Sequence, residues 1–351
     1  MISENNLIYI KGINGLRAIA VILVVIYHWL QQCSLVNIFP IGRIGVDIFF
    51  VISGFLISKI LFQEKNNDDL NFNRKLKIIK NFMIRRTVRI FPIYYILLLF
   101  LYITNGVEFR NNIIYYVTYT TNIFFYYTRA WYGMAAHFWS LAVEEQFYLF
   151  WPFLLIFINK RYTLKFIIFA IIVGTIYSFA INDEMGSNIL TLSCINAFGI
   201  GALYSYFIIY KPIYAENASK IIRILFFPMI LLIILNYTIL KLNYFPLRLI
   251  VSVITVNFIR ICLEGKSKNI FYQIMNWKIL NFIGILSYGI YLFHNPFTNY
   301  WRRLLLKMGM QNKIDNIYLE FMIKFSILIL ISYLSWIIIE KPFLKLKRYA
   351  K

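Results

Sequence analysis

Ten apolar stretches, each close to the roughly 20 helical residues that cross a hydrocarbon core, recur along this chain with short polar interruptions. They lie at residues 13–30, 44–62, 88–104, 138–158, 164–181, 189–210, 221–240, 245–263, 280–300 and 319–339. Hydrophobic residues make up 60% of the 351 and mean hydropathy is +0.67, well above a soluble domain. The expected fold is all-α: a polytopic membrane protein of about ten transmembrane helices, forming one membrane domain over residues 1–351. The first stretch is not followed by a small-residue cleavage site, so it reads as an uncleaved span. Residues 113–127 are too rich in Asn, Thr and Tyr for a span and suit a half-buried interfacial helix.

A net charge of +21 would suggest nucleic acid in a soluble protein. Here the basic residues sit in the breaks between apolar runs, which is the positive-inside pattern. An even number of spans with the N-terminus inside puts both termini in the cytoplasm. The loops this places inside hold Lys65 to Arg86, Lys160 to Lys165, Lys211 to Arg223, Lys266 to Lys278 and the tail from Lys341 to Lys351. Arg43, Arg110, Arg129, Arg302, Arg303, Lys307 and Lys313 fall outside. Residues 63–80 read as a flexible cytoplasmic connector. Cys33, Cys194 and Cys262 have spacings suited to neither a disulfide framework nor a metal, and no metal site is expected.

Ionisable side chains inside spans are costly and therefore candidate functional groups. Arg17 and His28 stand 11 residues apart, which brings them within about 20° of one helix face and about 16 Å apart along the axis. Arg17 alone reads as a snorkelling anchor and His28 as a headgroup residue beside Trp29. Asp47 opens the second span at the depth of His28. It is either a first-turn acid or the carboxylate that holds the His28 tautomer. Arg86 and Arg89 share a face where the third span enters the inner leaflet, as a positive-inside stop or as a phosphate clamp. In 136–148, Ser140, Glu144 and Tyr148 recur every four residues as one polar stripe. Glu144 and Glu145 point about 100° apart, so at most one is expected to face a given pocket, and Glu144 shares the stripe. His294 ends the run 287–296, and Glu340 at the close of the last span suits pairing with nearby basic residues.

Taken together, these segments resemble the bacterial acyltransferase-3 family of integral membrane O-acyltransferases. The resemblance rests on Arg-x10-His (Arg17, His28), G-V-D-x-F-F-V-x-S-G-F (Gly45 to Phe55) and R-x-x-R-I-x-P (Arg86 to Pro92). It rests also on W-S-L-x-x-E-x-x-x-Y (Trp139 to Tyr148), S-Y-x-x-Y-L-x-H (Ser287 to His294) and the terminal E-K-P-F. It implies a ten-helix core in the bacterial inner membrane, acetyl-CoA or a related acyl-CoA as cytoplasmic donor, and a sugar hydroxyl at the outer face as acceptor. No cofactor is bound permanently; membrane lipid is a partner and nucleic acid is not. By the resemblance, Arg17, Arg86 and Arg89 belong to donor binding and His28 and Glu144 to the catalytic core. Trp139, Ser140, Tyr148, Ser287 and His294 are acceptor or core polar residues. The family often appends an extracytoplasmic hydrolase-like domain, and the expectation here is a core without it.

The expected chemistry has His28, oriented by Asp47 or another carboxylate, as general base on the acceptor hydroxyl, with a covalent acyl-His intermediate left open. Lipopolysaccharide O-antigen, capsule, peptidoglycan and a small glycoside are all acceptors consistent with the residues. The reading from another class is a transporter or flippase of a lipid-linked sugar, for which the sequence lacks the expected internal repeat. A polysaccharide polymerase is a third, with only residues 105–137 long enough for its outer loop.

Overall fold

The computed structural model describes residues 10–65, 71–104, 107–181, 183–309 and 316–346. Each of the ten apolar stretches falls on a helix. These are α1 (Ile13–Trp29), α2 (Ile41–Glu64), α3 (Phe72–Thr104), α4 (Phe138–Phe157) and α5 (Lys160–Ala180). They continue as α6 (Thr191–Tyr210), α7 (Pro212–Leu235), α8 (Leu247–Glu264), α9 (Lys278–Lys307) and α10 (Ile317–Ser335). Among the described residues every regular element is helical. Seven helices, α2 to α7 and α10 with their short extensions, are long and apolar enough to cross a membrane. At 17 residues α1 is shorter. Arg248, Arg260 and Glu264 lower the apolarity of α8, and α9 is polar at both ends.

One expectation of the fold needs correction. The connector assigned to residues 63–80 is helical from Phe72 onward, because its Lys, Leu, Arg and Ile residues are good or tolerant helix formers and no Gly or Pro interrupts them before Pro92. Its residues 66–70 lie outside the described residues, as do Lys313 and 347–351 of the basic tail. The aromatic stretch forms two short helices, Ile113–Val117 and Thr121–Thr128, separated by a turn with Tyr119 at φ 53°. The segment is half-buried: Tyr116 and Phe125 are enclosed against α3 and α4, while Ile114, Tyr115, Val117, Ile123 and Tyr127 are exposed.

The centre is a slab in which α2 packs between α1 and α6, with α9 beyond α1 and α5 beyond α6. Small residues set these distances, as expected where lipid offers no hydrophobic drive between helices. A Cβ on Gly54 would stand 2.1 Å from the Phe198 carbonyl oxygen, and one on Gly201 2.2 Å from that of Val51. The helices therefore touch through their backbones, and the Phe50, Phe198 and Phe147 rings stack across the contact at 4.7 and 4.0 Å. Gly54→Ala is expected to lower stability by about 1–3 kcal/mol through overpacking. A thermal unfolding midpoint equal to that of the parent in the same detergent would show that α2 and α6 can separate freely. At the far end of α2, Lys65 Nζ donates to the Leu155 carbonyl at 2.6 Å and to that of Ile158, capping the exposed C-terminus of α4.

Candidate active site

The polar stripe of α4 is built as its four-residue period demands, and it faces α2. Tyr148 donates its hydroxyl to Glu144 Oε2 at 2.8 Å, one helical turn away. Ser53 of α2 lies 3.4 Å from Glu144 Oε1 and 3.1 Å from the Tyr148 hydroxyl, closing a three-way network. The Arg86 guanidinium stacks 4.6 Å from the Tyr148 ring centre. One turn earlier, Ser140 is bonded to the Tyr291 hydroxyl of α9. One of the two hydroxyls donates to the other, which donates to the His137 carbonyl, 3.0 Å from Ser140 and 3.2 Å from Tyr291.

Two cavities meet behind this stripe. A narrow chamber of about 70 Å³ is bordered by Ser53, Ser140, Glu144, Tyr148, Ser287 and Tyr291, together with Arg17, Arg86 and Arg89. A larger cavity of about 750 Å³ opens where α1 and α3 begin and α2 ends. Six basic side chains line it, Arg17, Arg74, Lys77, Arg85, Arg86 and Arg89, against one acid, Glu64. Arg17, Arg86 and Arg89 border both cavities and form the partition between them. Among the described residues none of these three lies within 4 Å of a carboxylate oxygen. Glu144 and Glu340 act on these guanidinium groups only at longer range, so the partition presents a positive face to the larger cavity.

The chain has three histidines and all three gather at the other side of the chamber. The His28 and His294 rings are 4.9 Å apart, and the His294 and His137 rings 4.5 Å. His28 does not border the chamber itself; it reaches it through His294, whose ring is 5.5 Å from that of Tyr291. The Val24 carbonyl lies 2.8 Å from His28 Nδ1, which fixes the proton on that nitrogen and leaves the Nε2 lone pair available. His294 Nδ1 likewise meets the Tyr291 carbonyl at 2.6 Å, while its Nε2 is buried without a partner. Among the described residues no three His, Cys, Asp or Glu side chains are placed to hold a metal ion.

Asp47 corrects the expected arrangement. Its Oδ1 accepts from Arg248 Nε at 2.8 Å, with both side chains buried, and no carboxylate bonds the His28 ring among the described residues. Arg248 also donates to the carbonyls of Ser187, Asn188 and Ser193, at 3.1, 2.9 and 2.7 Å. A guanidinium that ties α2 to the α5–α6 connection is a structural brace, and the acid serves it. Trp139 packs its ring against Phe50 at 6.3 Å and does not border the chamber.

A family model described as an acyltransferase domain matches residues 10–341. The chain belongs to the acyltransferase-3 family. Among curated relatives, the peptidoglycan O-acetyltransferase OatA of Listeria monocytogenes is 28% identical over 82% of this chain and 49% of its own. A Bacillus subtilis protein, YrhL, provisionally named a peptidoglycan O-acetyltransferase, is 28% identical over 95% of this chain and 55% of its own. A Staphylococcus aureus protein, provisionally named an O-acetyltransferase, is 36% identical over 46% of this chain and 28% of its own. The chain thus spans about half the length of the curated relatives it matches, or less. No solved structure matches it.

The acyltransferase-3 core contains polar groups that sequence reasoning passed over. Glu145 borders the chamber as well as Glu144, although the two diverge by about 100°, because the chamber wraps around that turn of α4. Glu340 is buried rather than paired at the cytoplasmic surface. It lies in a π-helical turn, Trp336–Glu340, with Oε1 unpartnered and Arg89 close enough to feel its charge. Tyr291 and His137 carried the signal of all polar side chains inside apolar runs; Arg248 did too. Losing the Glu144 network costs more than losing Glu145: Glu144→Gln is expected to cut turnover about tenfold or more, the worth of one charge-assisted hydrogen bond. Glu145→Gln should leave most of it, and initial rates of acyl transfer for the two proteins decide the matter.

Proposed function

We propose that this chain is a membrane O-acyltransferase moving an acyl group, acetyl in the simplest case, from an acyl-CoA to a hydroxyl of a cell-surface glycan. The observation that carries the reading is the partition of Arg17, Arg86 and Arg89, cations with no carboxylate in direct contact among the described residues, standing between a large basic cavity and a small polar chamber. A nucleotide-bearing thioester would leave its phosphates on the partition, where guanidinium forks bind them bidentately, and extend its acyl end into the chamber. The glycan would come from the opposite end of the bundle, where α1 ends with His28. In this orientation the basic cavity faces the cytoplasm, the ten helices all span, and both termini are inside.

The step balances without any other reactant. His28 Nε2 takes the proton of the acceptor hydroxyl as its oxygen bonds the thioester carbonyl carbon. The tetrahedral intermediate then expels the thiolate, which takes the proton from the His28 imidazolium, giving an ester, free CoA and a neutral imidazole. The alternative, acyl-His, would place the bond on the same Nε2. Glu144, held by Ser53 and Tyr148, positions Arg86 through the Tyr148 ring. The names of the Listeria and Bacillus relatives favour peptidoglycan over lipopolysaccharide O-antigen as the acceptor glycan.

Membranes carrying the chain are expected to pass label from acetyl-CoA into surface glycan. Arg86→Gln and Arg89→Gln should each raise the donor KM about tenfold or more, since charge-assisted hydrogen bonds to phosphate are lost. Saccharide flux that proceeds without any thioester, with no label transferred, would replace this reading by transport.

A further inference from the structure

A second large cavity, of about 770 Å³, lies at the end of the bundle opposite the basic one, between the start of α2, the end of α5, the turn after α7 and the start of α8. It shares no lining residue with the chamber or with the basic cavity. Nothing in the acyl-transfer chemistry above uses it.

Its wall has an unusual composition for a membrane protein. Arg43 supplies a guanidinium group, Arg248 a second one already held by Asp47 and three carbonyls, Asn196 and Asn236 supply amides, and Tyr237 and Tyr244 supply aromatic faces with hydroxyls. Lys241 adds a third cation at the exposed rim, while the one lining acid, Asp183, is bonded to Arg129 outside the cavity. The balance is therefore positive. One buried polar atom among the described lining residues is without a partner, Arg43 Nε, a donor on a side chain that borders the cavity. A buried guanidinium donor left dry is costly, so Arg43 marks a place built to receive an acceptor.

The combination selects a ligand class. A fork of N–H donors favours a carboxylate or phosphate, amides and tyrosine hydroxyls pair with hydroxyl groups in both directions, and aromatic faces accept the apolar face of a pyranose ring. A free inorganic ion would occupy a small part of 770 Å³ and use none of the amides or rings. A lipid tail would meet charge at its deepest point.

We propose that this cavity docks an anionic saccharide, with Arg43 receiving its carboxylate or phosphate. Its link to catalysis rests on the function proposed above, since the site opens at the His28 end of the bundle and would hold the acceptor glycan there. Binding itself is independent of that function.

The test is a saturation-transfer NMR titration of the full chain in detergent micelles with N-acetylmuramic acid, its uncharged amide and N-acetylglucosamine 1-phosphate. One or both anions are expected to bind about tenfold more tightly than the amide, a charge-assisted hydrogen bond's worth of preference. Arg43→Gln should erase that preference and Arg43→Lys should keep part of it. Lys241→Gln, at an exposed position where folding is not at risk, should weaken both anions by a smaller factor. Equal binding of acid and amide overturns the proposal. So does an anion preference that survives Arg43→Gln but vanishes in Arg74→Gln and Lys77→Gln, which would move the ligand to the basic cavity. An intact preference in a protein that transfers no acyl group would sink the proposed function and leave this site standing.

Discussion

A His28→Ala protein that inserts and folds like its parent is expected to lose acyl transfer by roughly 10²–10⁴, the usual worth of a positioned general base. The expectation follows from how the ring is held. Val24 engages Nδ1 from within the same helix, so the tautomer does not depend on a distant acid and Nε2 is the nitrogen left to work. Donor affinity should be unchanged, because the arginine partition lies about 16 Å away along α1, by helical rise over 11 residues. Single-turnover rates at saturating acetyl-CoA separate the two quantities. His294→Ala provides the comparison: its ring touches both His28 and His137 yet bonds only backbone, so it should slow the reaction by less. Equal losses in the two proteins would make the histidines one proton-carrying unit, and no loss in His28→Ala would remove the base altogether.

Separating Asp47 from Arg248 is expected to be the most damaging change to the fold. Removing one member of a buried pair leaves an uncompensated charge and costs about 3–5 kcal/mol, so Arg248→Met and Asp47→Leu should each unfold at markedly lower temperature and accumulate poorly. The double variant should recover part of the loss and not all, because three carbonyls that Arg248 satisfies would remain unbonded. Thermal midpoints of the four proteins complete the cycle. If Asp47→Leu instead keeps its stability and loses activity, the acid belongs to the reaction and the brace is incidental.

Local periodicity made part of the site legible. Ser140, Glu144 and Tyr148 lie on one face because a helix repeats every 3.6 residues, and Arg86 and Arg89 share a face for the same reason. Neither the register nor the rotation of one helix against another could be read. Gly42 packs on Tyr27 and Gly45 on Ala20 and Val24, so Asp47 lies deeper along the bundle than His28 instead of level with it. Asp47 also faces α8 and meets an arginine 201 residues away in the chain. Arg248 itself stood in plain view inside an apolar run, the kind of residue that a membrane tolerates only with a partner. Glu145 was set aside by an angle that holds for a flat wall and fails for a chamber that curves around a helix turn. Helix positions were legible but not all their lengths: α3 begins at Phe72, α7 at Pro212 and α9 runs on to Lys307, because those extra turns are too polar to register as apolar.

The backbone contacts of α2 with α6 have a mechanical consequence. Helices whose carbonyls stand where a methyl group would not fit cannot slide or roll past one another without first moving apart, so α1, α2 and α6 behave as a stator. Exchange of ligands at either mouth then falls to the periphery, and α7, whose side chains almost all face outward, is the member with least to hold it in place. Such a frame suits the acyl transfer proposed above, in which two reactants would meet at a fixed wall, better than carriage of one of them across it.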